Sequence, residues 1–384
     1  MKLFNSEVDW YYLLSDGTKL YSKIAAIEYA TTNNCSISFY YGDREFSSHN
    51  WMVEPQESLA ELYKRRAQQI RDEYDYLILM YSSGSDSQNL LRAFNENNIH
   101  IDEIVMFGSF DGDKDKFAND KLDPTMPNWE LYNLAPRTLG DLIIKPKITR
   151  LDFTRMAPNQ TYTNKDWIYS TNFWTPNAFL FWNNLDGNIP KYKGKVGIIV
   201  GKEKPRVIYE NNMYYMMFID SLNLTGASGS IVDKSIGNEH MVYFYSSPHA
   251  ARLIMKQCHM IKHYMNMTGN QNLCRVEGFG TSEYNRHIIP VIYPTISEYS
   301  LLNKPPSNII SQRDRWFYQQ SYEHRNKQIW LDGINYISNE IPKEWINSGK
   351  KKIIPWASTP DMKYANDLND GLVGIVSKKY CIGS

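Results

Sequence analysis

The chain has 384 residues, enough for about two domains, and its 22% charged and 42% hydrophobic content is typical of a folded soluble protein. Its 42 lysine and arginine residues equal its 42 aspartate and glutamate residues, so net charge does not indicate a nucleic-acid partner, although it permits a local basic groove. No apolar run is long enough to span a bilayer, and the N-terminus lacks the apolar core of a secretory signal. These features predict a cytoplasmic protein without a membrane partner.

Two residue classes bound the chemistry further. The 28 tyrosines and 10 tryptophans must fill cores, line clefts or form interfaces. The cysteines are far apart and show no paired spacing: Cys35, Cys258, Cys274 and Cys381. This spacing argues against a zinc site or a CxxC redox motif and predicts free thiols in a reducing compartment.

Residues 1–54 are predicted to form a small mixed α/β appendage. The stretch "DWYYLLSDGTKLYS" predicts two strands joined by a Ser-Asp-Gly turn. The next stretch, "KIAAIEYATTNN", predicts a short helix, and "SISFYYGDREF" predicts another pair of strands around a Gly-Asp turn.

The segment "PQESLAELYKRRAQQIRDEY" is predicted to be a helix, with Pro55 near its start and one apolar face that includes Leu59 and Leu62. Its basic run of Lys64, Arg65 and Arg66 is interpreted as a solvated face rather than a ligand site.

The strongest functional pattern follows this helix. Residues 76–81 are nearly all apolar, which suits a strand covered on both faces, as in a parallel sheet. The small polar residues "SSGSDS" come next, and Leu90, Leu91 and Phe94 then fall on one helical stripe. A tight turn that opens a helix leaves backbone N–H groups available to an anion. Asp86 beside a phosphate requires a bridging cation, and Mg²⁺ is the obvious choice.

The "SSGSDS" stretch resembles the Ser-Gly-Gly-x-Asp-Ser signature of the PP-loop (N-type) ATP pyrophosphatases, in the adenine nucleotide alpha hydrolase-like superfamily. That superfamily includes asparagine synthetase, and the PAPS reductases are related to it. The resemblance implies a Rossmann-like, HUP-type parallel-sheet core that binds ATP and Mg²⁺. It also implies cleavage of ATP between its α and β phosphates, with an adenylate as the intermediate. The outline is similar as well to PP-loop proteins encoded by large bacteriophages, whose compartment would be the host cytoplasm.

The resemblance carries over residue by residue. The loop consists of Ser82, Ser83, Gly84, Ser85, Asp86 and Ser87. Ser85 occupies the variable place, and Ser83 stands where the family usually has its first glycine. That departure is mild if Ser83 has a negative φ and serious if the position needs a positive φ. Asp86 matches the aspartate of the signature, and its carboxylate would hold the Mg²⁺.

Two further segments are placed to complete a site. The next strand, at Glu103 to Gly108, leads into an acidic loop with Asp111, Asp113 and Asp115, and Asn128 and Glu130 beyond it are weaker candidates for ribose or substrate contacts. A buried-type strand at Val196 to Val200 leads into "GKEKP", where Lys202 and Lys204 could stabilise departing pyrophosphate. A solvated Lys-Glu-Lys turn is the alternative, and Arg206 is a weaker choice. Beyond this turn, "RVIY" and "MYYMMFID" predict a hairpin around Asn211 and Asn212.

The division drawn from these patterns is an appendage at 1–54, a nucleotide-binding domain at 55–235 and a mainly helical, aromatic-rich extension at 236–384. In the extension, His259 and His263 have the i, i+4 spacing of a helical metal site, but without an HExxH glutamate or an evident third ligand they are read as an ordinary histidine pair. An Arg- and Tyr-rich stretch at 313–325 could stack on bases or pack on the main domain. The final "GLVGIVSKKYCIGS" is expected to dock as a strand or short helix.

These patterns leave three functional hypotheses open. The first is an ATP-dependent ligase that adenylates a small-molecule carboxylate or a nucleobase oxygen, with Asp86, Lys202 and Lys204 as catalytic residues. A PAPS reductase-like or sulfur-transfer enzyme is the second, and Cys274 is its only cysteine candidate. The third is a non-catalytic nucleotide- or protein-binding module that keeps the fold. Position two is Lys rather than a glutaminase Cys, so ammonia for amidation would come free or from another chain. The oligomeric state is left open.

Overall fold

A computed structural model provides the structure of this protein, and it describes residues 8–108, 110, 129–152, 194–201, 206–220, 239–275, 282–293, 336, 339–345 and 375–384. The predicted sites at Asp111, Asp113, Asp115, Asn128, Lys202 and Lys204 and the Arg- and Tyr-rich stretch at 313–325 lie outside these residues. Glu130 lies in the short helix at Trp129–Asn133, and its side chain is outside the described part of the structure.

A five-stranded parallel sheet forms the centre of the chain. Its strands are β4 (Tyr76–Met80), β5 (Glu103–Gly108), β6 (Lys147–Asp152), β7 (Val196–Val200) and β10 (Glu239–Tyr243). Across the sheet they lie in the order β10-β7-β4-β5-β6. In chain order these are strands 1 to 5 of the sheet, so the spatial order is 5-4-1-2-3. The sheet therefore grows in one direction from β4 and then in the other, and it reverses between β4 and β7.

The predicted α/β class with a parallel sheet is confirmed. A doubly wound sheet of this order is compatible with a Rossmann-like core. The buried strands at β4 and β7 were predicted from their continuous apolar runs, and every residue of β7 is buried. Gly197 lies in β7 where a Cβ atom would come within 2.8 Å of the Tyr74 ring, so the absence of a side chain lets Tyr74 pack against the strand.

The described helices that accompany this sheet include α3 (Leu59–Glu73), α4 (Ser85–Asn95), α7 (Ala251–Thr268) and α8 (Ser282–Ile292). Helix α3 begins with a capping box, in which the Ser58 hydroxyl accepts from the Glu61 N–H and the Glu61 carboxylate accepts from the Ser58 N–H. Two short helices, α5 (Trp129–Asn133) and α6 (Ala135–Gly140), lie between β5 and β6.

The basic run on α3 was only partly interpreted correctly. Lys64 and Arg65 are exposed, as a solvated face requires, but Arg66 is buried. Its guanidinium donates to the carbonyl oxygens of Tyr243 and Phe244 at 2.9 and 3.3 Å. Arg66 therefore satisfies backbone acceptors where β10 ends, a role that its position in a run of surface charges concealed.

The N-terminal part forms a three-stranded antiparallel sheet, β2-β1-β3, from β1 (Trp10–Leu14), β2 (Lys19–Leu20) and β3 (Ile37–Tyr41), with α1 (Lys23–Asn33) between β2 and β3. The predicted hairpin and helix are confirmed. The second predicted strand pair is wrong, because β3 is followed by α2 (Asp43–Phe46), a helical turn that buries Phe46. Gly42 has a φ of 59° and turns the chain from strand to helix.

A second antiparallel sheet has the order β11-β9-β8, from β8 (Arg206–Glu210), β9 (Met213–Met217) and β11 (Tyr380–Gly383). The hairpin predicted around Asn211 and Asn212 is confirmed, and both asparagines have positive φ angles, of 50° and 62°. The predicted docking of the final segment as a strand is confirmed by β11. Just before it, Val376 accepts a hydrogen bond from Phe39 of β3 and forms a β-bridge with Ile219.

Strand β10 belongs to the central sheet. It pairs in parallel with β7, although the predicted boundary at 235/236 would assign it to the C-terminal extension.

A buried ion pair connects the N-terminal part to the rest of the chain. In this pair, Lys23 Nζ lies 2.9 Å from a carboxylate oxygen of Asp220. Asp220 accepts further hydrogen bonds from the Tyr12 hydroxyl and the Ile375 N–H.

Within the described ranges, no helix combines the length and the apolar character that crossing a bilayer requires. All four cysteines are described and none forms a disulfide bond.

Candidate functional site

The predicted strand–turn–helix unit is present at Tyr76–Asn95. Strand β4 ends at Met80, Gly84 takes the N-cap position, and α4 begins at Ser85. The loop thus leaves the carboxyl end of the strand at which the sheet reverses direction. In open α/β sheets, the crevice at this switch point is where ligands bind. Of the predicted residues, the structure brings all six from Ser82 to Ser87 to this edge.

The loop is organised by its own serines. The hydroxyl groups of Ser82 and Ser87 lie 3.2 Å apart, and Ser87 donates to the carbonyl oxygen of Gly84 at 3.1 Å. Gly84 N–H is directed at the Ser82 hydroxyl at 3.4 Å. Ser82 is exposed, whereas Ser87 is buried. Both serines therefore stabilise the turn, and of the two only Ser82 has a side chain exposed to solvent.

The backbone at the start of α4 is the part suited to an anion. The hydrogen bond from Gln88 N–H to the Gly84 carbonyl oxygen closes the first turn of the helix. The N–H groups of residues 85–87 precede this bond and have no acceptor within the helix. Ser85 and Asp86 are half-buried, so this end of the helix is reachable from solvent. The partial positive charge of the helix N-terminus adds to the attraction for a negatively charged group.

Ser83 has the conformation that makes its departure from the family signature serious. Its φ is +63°, in the left-handed region where glycine is favoured. Its side chain is buried, and its hydroxyl accepts a 3.0 Å hydrogen bond from Gln88 Nε2 and contacts the Tyr81 hydroxyl at 3.4 Å. Gln88 also donates to Thr138, which ties the loop to α6. The serine is thus held in a strained backbone conformation by side-chain hydrogen bonds that a glycine could not form.

Gly201, just after β7, approaches the opposite side of the loop. A Cβ atom at this position would lie 3.2 Å from the backbone of Asp86 and Ser87. Glycine at the end of β7 therefore permits a close approach between this strand end and the first turn of α4. The structure thus gives Gly201, the first residue of the "GKEKP" stretch, a packing role against α4.

Sequence reasoning missed a group of buried tyrosines behind the loop, here called the tyrosine cluster: Tyr63, Tyr245 and Tyr293. Their rings are in contact, with centroids 6.4 Å apart for Tyr63 and Tyr245 and 5.4 Å apart for Tyr245 and Tyr293. Burial raises the pKa of Tyr245 and of Tyr293 well above the usual value, and the negative charge of Asp86 raises the pKa of both further. The three phenol groups are therefore neutral, and they lie within electrostatic range of the Asp86 carboxylate.

The tyrosine cluster connects the first turn of α4 to the C-terminal part. The Tyr245 hydroxyl donates to the Asp86 carbonyl oxygen at 2.8 Å and accepts from Asn89 Nδ2 at 3.0 Å. The Tyr63 hydroxyl donates to the Ile292 carbonyl oxygen at the end of α8. The only sequence signal was the position of Tyr245 two residues after a buried strand, where parallel strands meet the ligand-binding edge.

Cys274 is unsuited to sulfur chemistry. It lies in a short 3₁₀ turn at Gln271–Cys274 and is fully buried. Burial raises the pKa of its thiol to about 12, so the reactive thiolate is scarce at neutral pH. The structure therefore gives no support to a sulfur-transfer role for this cysteine.

Comparisons with known proteins find no family model that matches the sequence and no curated protein with significant similarity to it. Function is therefore inferred from the geometry of the loop at Ser82–Ser87.

Proposed function

We propose that this protein is an ATP-dependent ligase of the PP-loop type. It binds the phosphates of ATP at Ser82–Ser87 and transfers the adenylyl group to an acceptor oxygen, with release of pyrophosphate. The observation that carries the proposal is the place of this loop: it joins the first strand of a doubly wound sheet to a helix N-terminus at the switch point between β4 and β7.

Binding in this proposal uses the backbone more than the side chains. The N–H groups of residues 85–87 donate to phosphate oxygens, and the exposed Ser82 hydroxyl adds a further donor. Gly84 has no side chain, and within 4 Å of the place where its Cβ would be lies only the Ser82 hydroxyl, at 3.5 Å. A phosphate can therefore come close to the backbone at this residue. The HUP-type assignment of the fold belongs to this proposal as well.

Asp86 is the residue that would hold Mg²⁺. Its carboxylate is half-buried on the first turn of α4, beside the amides that face the phosphates. Bound Mg²⁺ would neutralise phosphate charge, which removes the repulsion between Asp86 and the nucleotide. Lys202 and Lys204 follow β7 and would stabilise the negative charge on departing pyrophosphate.

The reaction is a displacement at the α phosphorus of ATP. A carboxylate or nucleobase oxygen of the acceptor forms a bond to that phosphorus, and the bond to the bridging oxygen of pyrophosphate breaks with its electron pair. The adenylate then gives up AMP when a nitrogen nucleophile attacks the activated carbon, in an amidation-type transfer. The chain's contribution is to hold the phosphates in line and to stabilise the charge that leaves.

The test is formation of AMP and pyrophosphate after incubation of the purified protein with ATP, Mg²⁺ and a metabolite extract, measured by mass spectrometry. We expect both products from the natural protein and a strong reduction with Asp86→Ala. Asp72→Ala is the control, because Asp72 is an exposed carboxylate on α3 away from the loop. Full activity of Asp86→Ala would exclude the mechanism.

A non-catalytic nucleotide-binding module is the second candidate. It is favoured by the buried, positive-φ Ser83, which replaces the glycine of the family signature with a residue that is locked into internal hydrogen bonds. Titration calorimetry separates the two candidates. A binding module takes up ATP and returns it uncleaved, whereas the ligase releases AMP and pyrophosphate once its acceptor is present.

A further inference from the structure

A set of three metal-ligating side chains lies away from the loop at Ser82–Ser87. His259 and His263 occupy successive turns of α7, and Glu54 lies in the segment that precedes α3. One nitrogen of each imidazole and one oxygen of the Glu54 carboxylate all lie within 4.8 Å of one another. The third ligand that the histidine spacing alone did not reveal is thus supplied by a residue about two hundred positions earlier.

The hydrogen bonds around these residues orient them as metal ligands. Nε2 of His259 lies 3.0 Å from the carbonyl oxygen of Trp51. Since a carbonyl oxygen only accepts, Nε2 carries the proton, and the other ring nitrogen keeps a lone pair. Metal-binding histidines are commonly fixed by such a bond from the nitrogen that does not bind the metal.

Glu54 is held with one oxygen directed at His263. Oε1 accepts a 2.7 Å hydrogen bond from Lys256, and Oε2 lies 2.9 Å from Nε2 of His263. Lys256 is fixed in turn by the carbonyl oxygen of Pro55. A metal ion would take the place of the proton between Oε2 and His263, while Lys256 keeps Oε1. Each carboxylate oxygen of Glu54 would then contact one cation, the metal ion at Oε2 and Lys256 at Oε1.

We propose that Glu54, His259 and His263 form a binding site for a divalent metal ion of the zinc type. Two imidazole nitrogens and one carboxylate oxygen are the donor set that suits Zn²⁺, whereas Mg²⁺ and Ca²⁺ prefer oxygen ligands alone. The exposed His263 leaves one side open to solvent, so water takes the fourth position. The ion would join the segment before α3 to α7.

The test is a titration of the metal-free full-length protein with Zn²⁺, followed by calorimetry. We expect one saturable site, and a loss of affinity of at least about tenfold in His263→Ala and in Glu54→Gln, since even outer partners of a metal site cause losses of this size. His263 is largely exposed, so its replacement should leave the fold intact. His100→Ala is the matched control, because His100 is an exposed histidine near a single carboxylate, Asp102.

Replacement of Zn²⁺ by Co²⁺ should give the visible absorption of a four-coordinate ion without a thiolate charge-transfer band, which excludes binding at Cys35 or Cys381. The proposal is overturned if no saturable binding occurs, or if His263→Ala and Glu54→Gln bind Zn²⁺ as tightly as the natural protein.

Discussion

The Tyr245 hydroxyl and the Asp86 carbonyl oxygen are joined by a 2.8 Å hydrogen bond that links the end of β10 to the first turn of α4. Tyr245 is fully buried, and Asn89 donates to the same hydroxyl. The backbone of Asp86, the residue proposed to hold Mg²⁺, is therefore held in place by the buried Tyr245 hydroxyl.

Replacement of Tyr245 by phenylalanine should destabilise the protein. It leaves the buried Asn89 amide without this acceptor, and an unsatisfied buried polar group costs about 1–3 kcal/mol of unfolding free energy. Urea unfolding measures the change. Tyr209→Phe is the control, because the Tyr209 hydroxyl makes its hydrogen bond to Asn212 at the surface. Equal stability of the two variants would contradict the structural role of Tyr245.

Two substitutions at Ser83 separate backbone strain from side-chain bonding. Ser83→Gly removes backbone strain, because the left-handed conformation costs a non-glycine residue about 1–2 kcal/mol. The same substitution loses the hydrogen bond from Gln88. Ser83→Ala loses the same hydrogen bond, worth about 1 kcal/mol, and keeps the strain. Unfolding experiments should therefore find Ser83→Gly more stable than Ser83→Ala. The reverse order would show that the positive φ at this position is not strained.

Gly201→Ala should disturb the loop more than Gly84→Ala. The new methyl group at residue 201 would lie 3.2 Å from the backbone of Asp86 and Ser87, which cannot move away as a flexible side chain could. Overpacking of this kind costs about 1–3 kcal/mol. At Gly84 the nearest atom is the mobile Ser82 hydroxyl at 3.5 Å. Titration with ATP should give a larger loss of affinity for Gly201→Ala, and equal losses would exclude a close approach of β7 to the loop.

Removal of one partner from the buried ion pair of Lys23 and Asp220 should lower the free energy of unfolding. Asp220→Asn leaves the buried lysine charge uncompensated, and the loss of one partner in such a pair costs about 3–5 kcal/mol. The double variant Lys23→Met, Asp220→Asn should recover much of this loss, because no charge then remains buried. Glu210→Gln, in a partly exposed pair with Lys379, is the control and should change stability by less than about 1 kcal/mol. Chemical unfolding of the four proteins decides the question.

Glu57 should make the stability depend on acid pH. Hydrogen bonds from Arg252, and then from its own backbone, lower the pKa of Glu57 from 4.5 to about 2. Because the folded pKa lies below the unfolded one, this stabilisation is complete above pH 4.5 and is lost as the pH falls towards 2. Glu57→Gln should weaken the pH dependence of the unfolding midpoint in that range. An unchanged dependence would show that the contact with Arg252 does not persist in solution.

The parts of the fold that were predicted correctly depend on local patterns. The apolar runs of β4 and β7 and the capped helix α3 each have a signal within a few residues, which the structure confirms. The stretch after β3 was predicted wrongly because Gly42 was read as a hairpin turn, whereas the buried Phe46 favours a helical turn that packs inward. Tertiary packing there outweighs local propensity.

The candidate site was predictable only where one short segment supplies it. The loop at Ser82–Ser87 was found from its sequence, but the φ of Ser83 depends on buried hydrogen bonds to Gln88 and could not be read from composition. Glu54 and Tyr245 were missed for a different reason. Each comes close to its partners only after the chain has folded, and the one local signal, the position of Tyr245 just after β10, does not identify those partners.

The segment that contains Val376 and β11 has a consequence for how the chain reaches this structure. Until it emerges from the ribosome, β3 and β9 both carry edges with free backbone amide and carbonyl groups. Contacts of such large sequence separation form late and slowly. The nascent protein therefore passes through a period in which two sheet edges are available for wrong pairing, and helper proteins that cover strand edges should raise its yield.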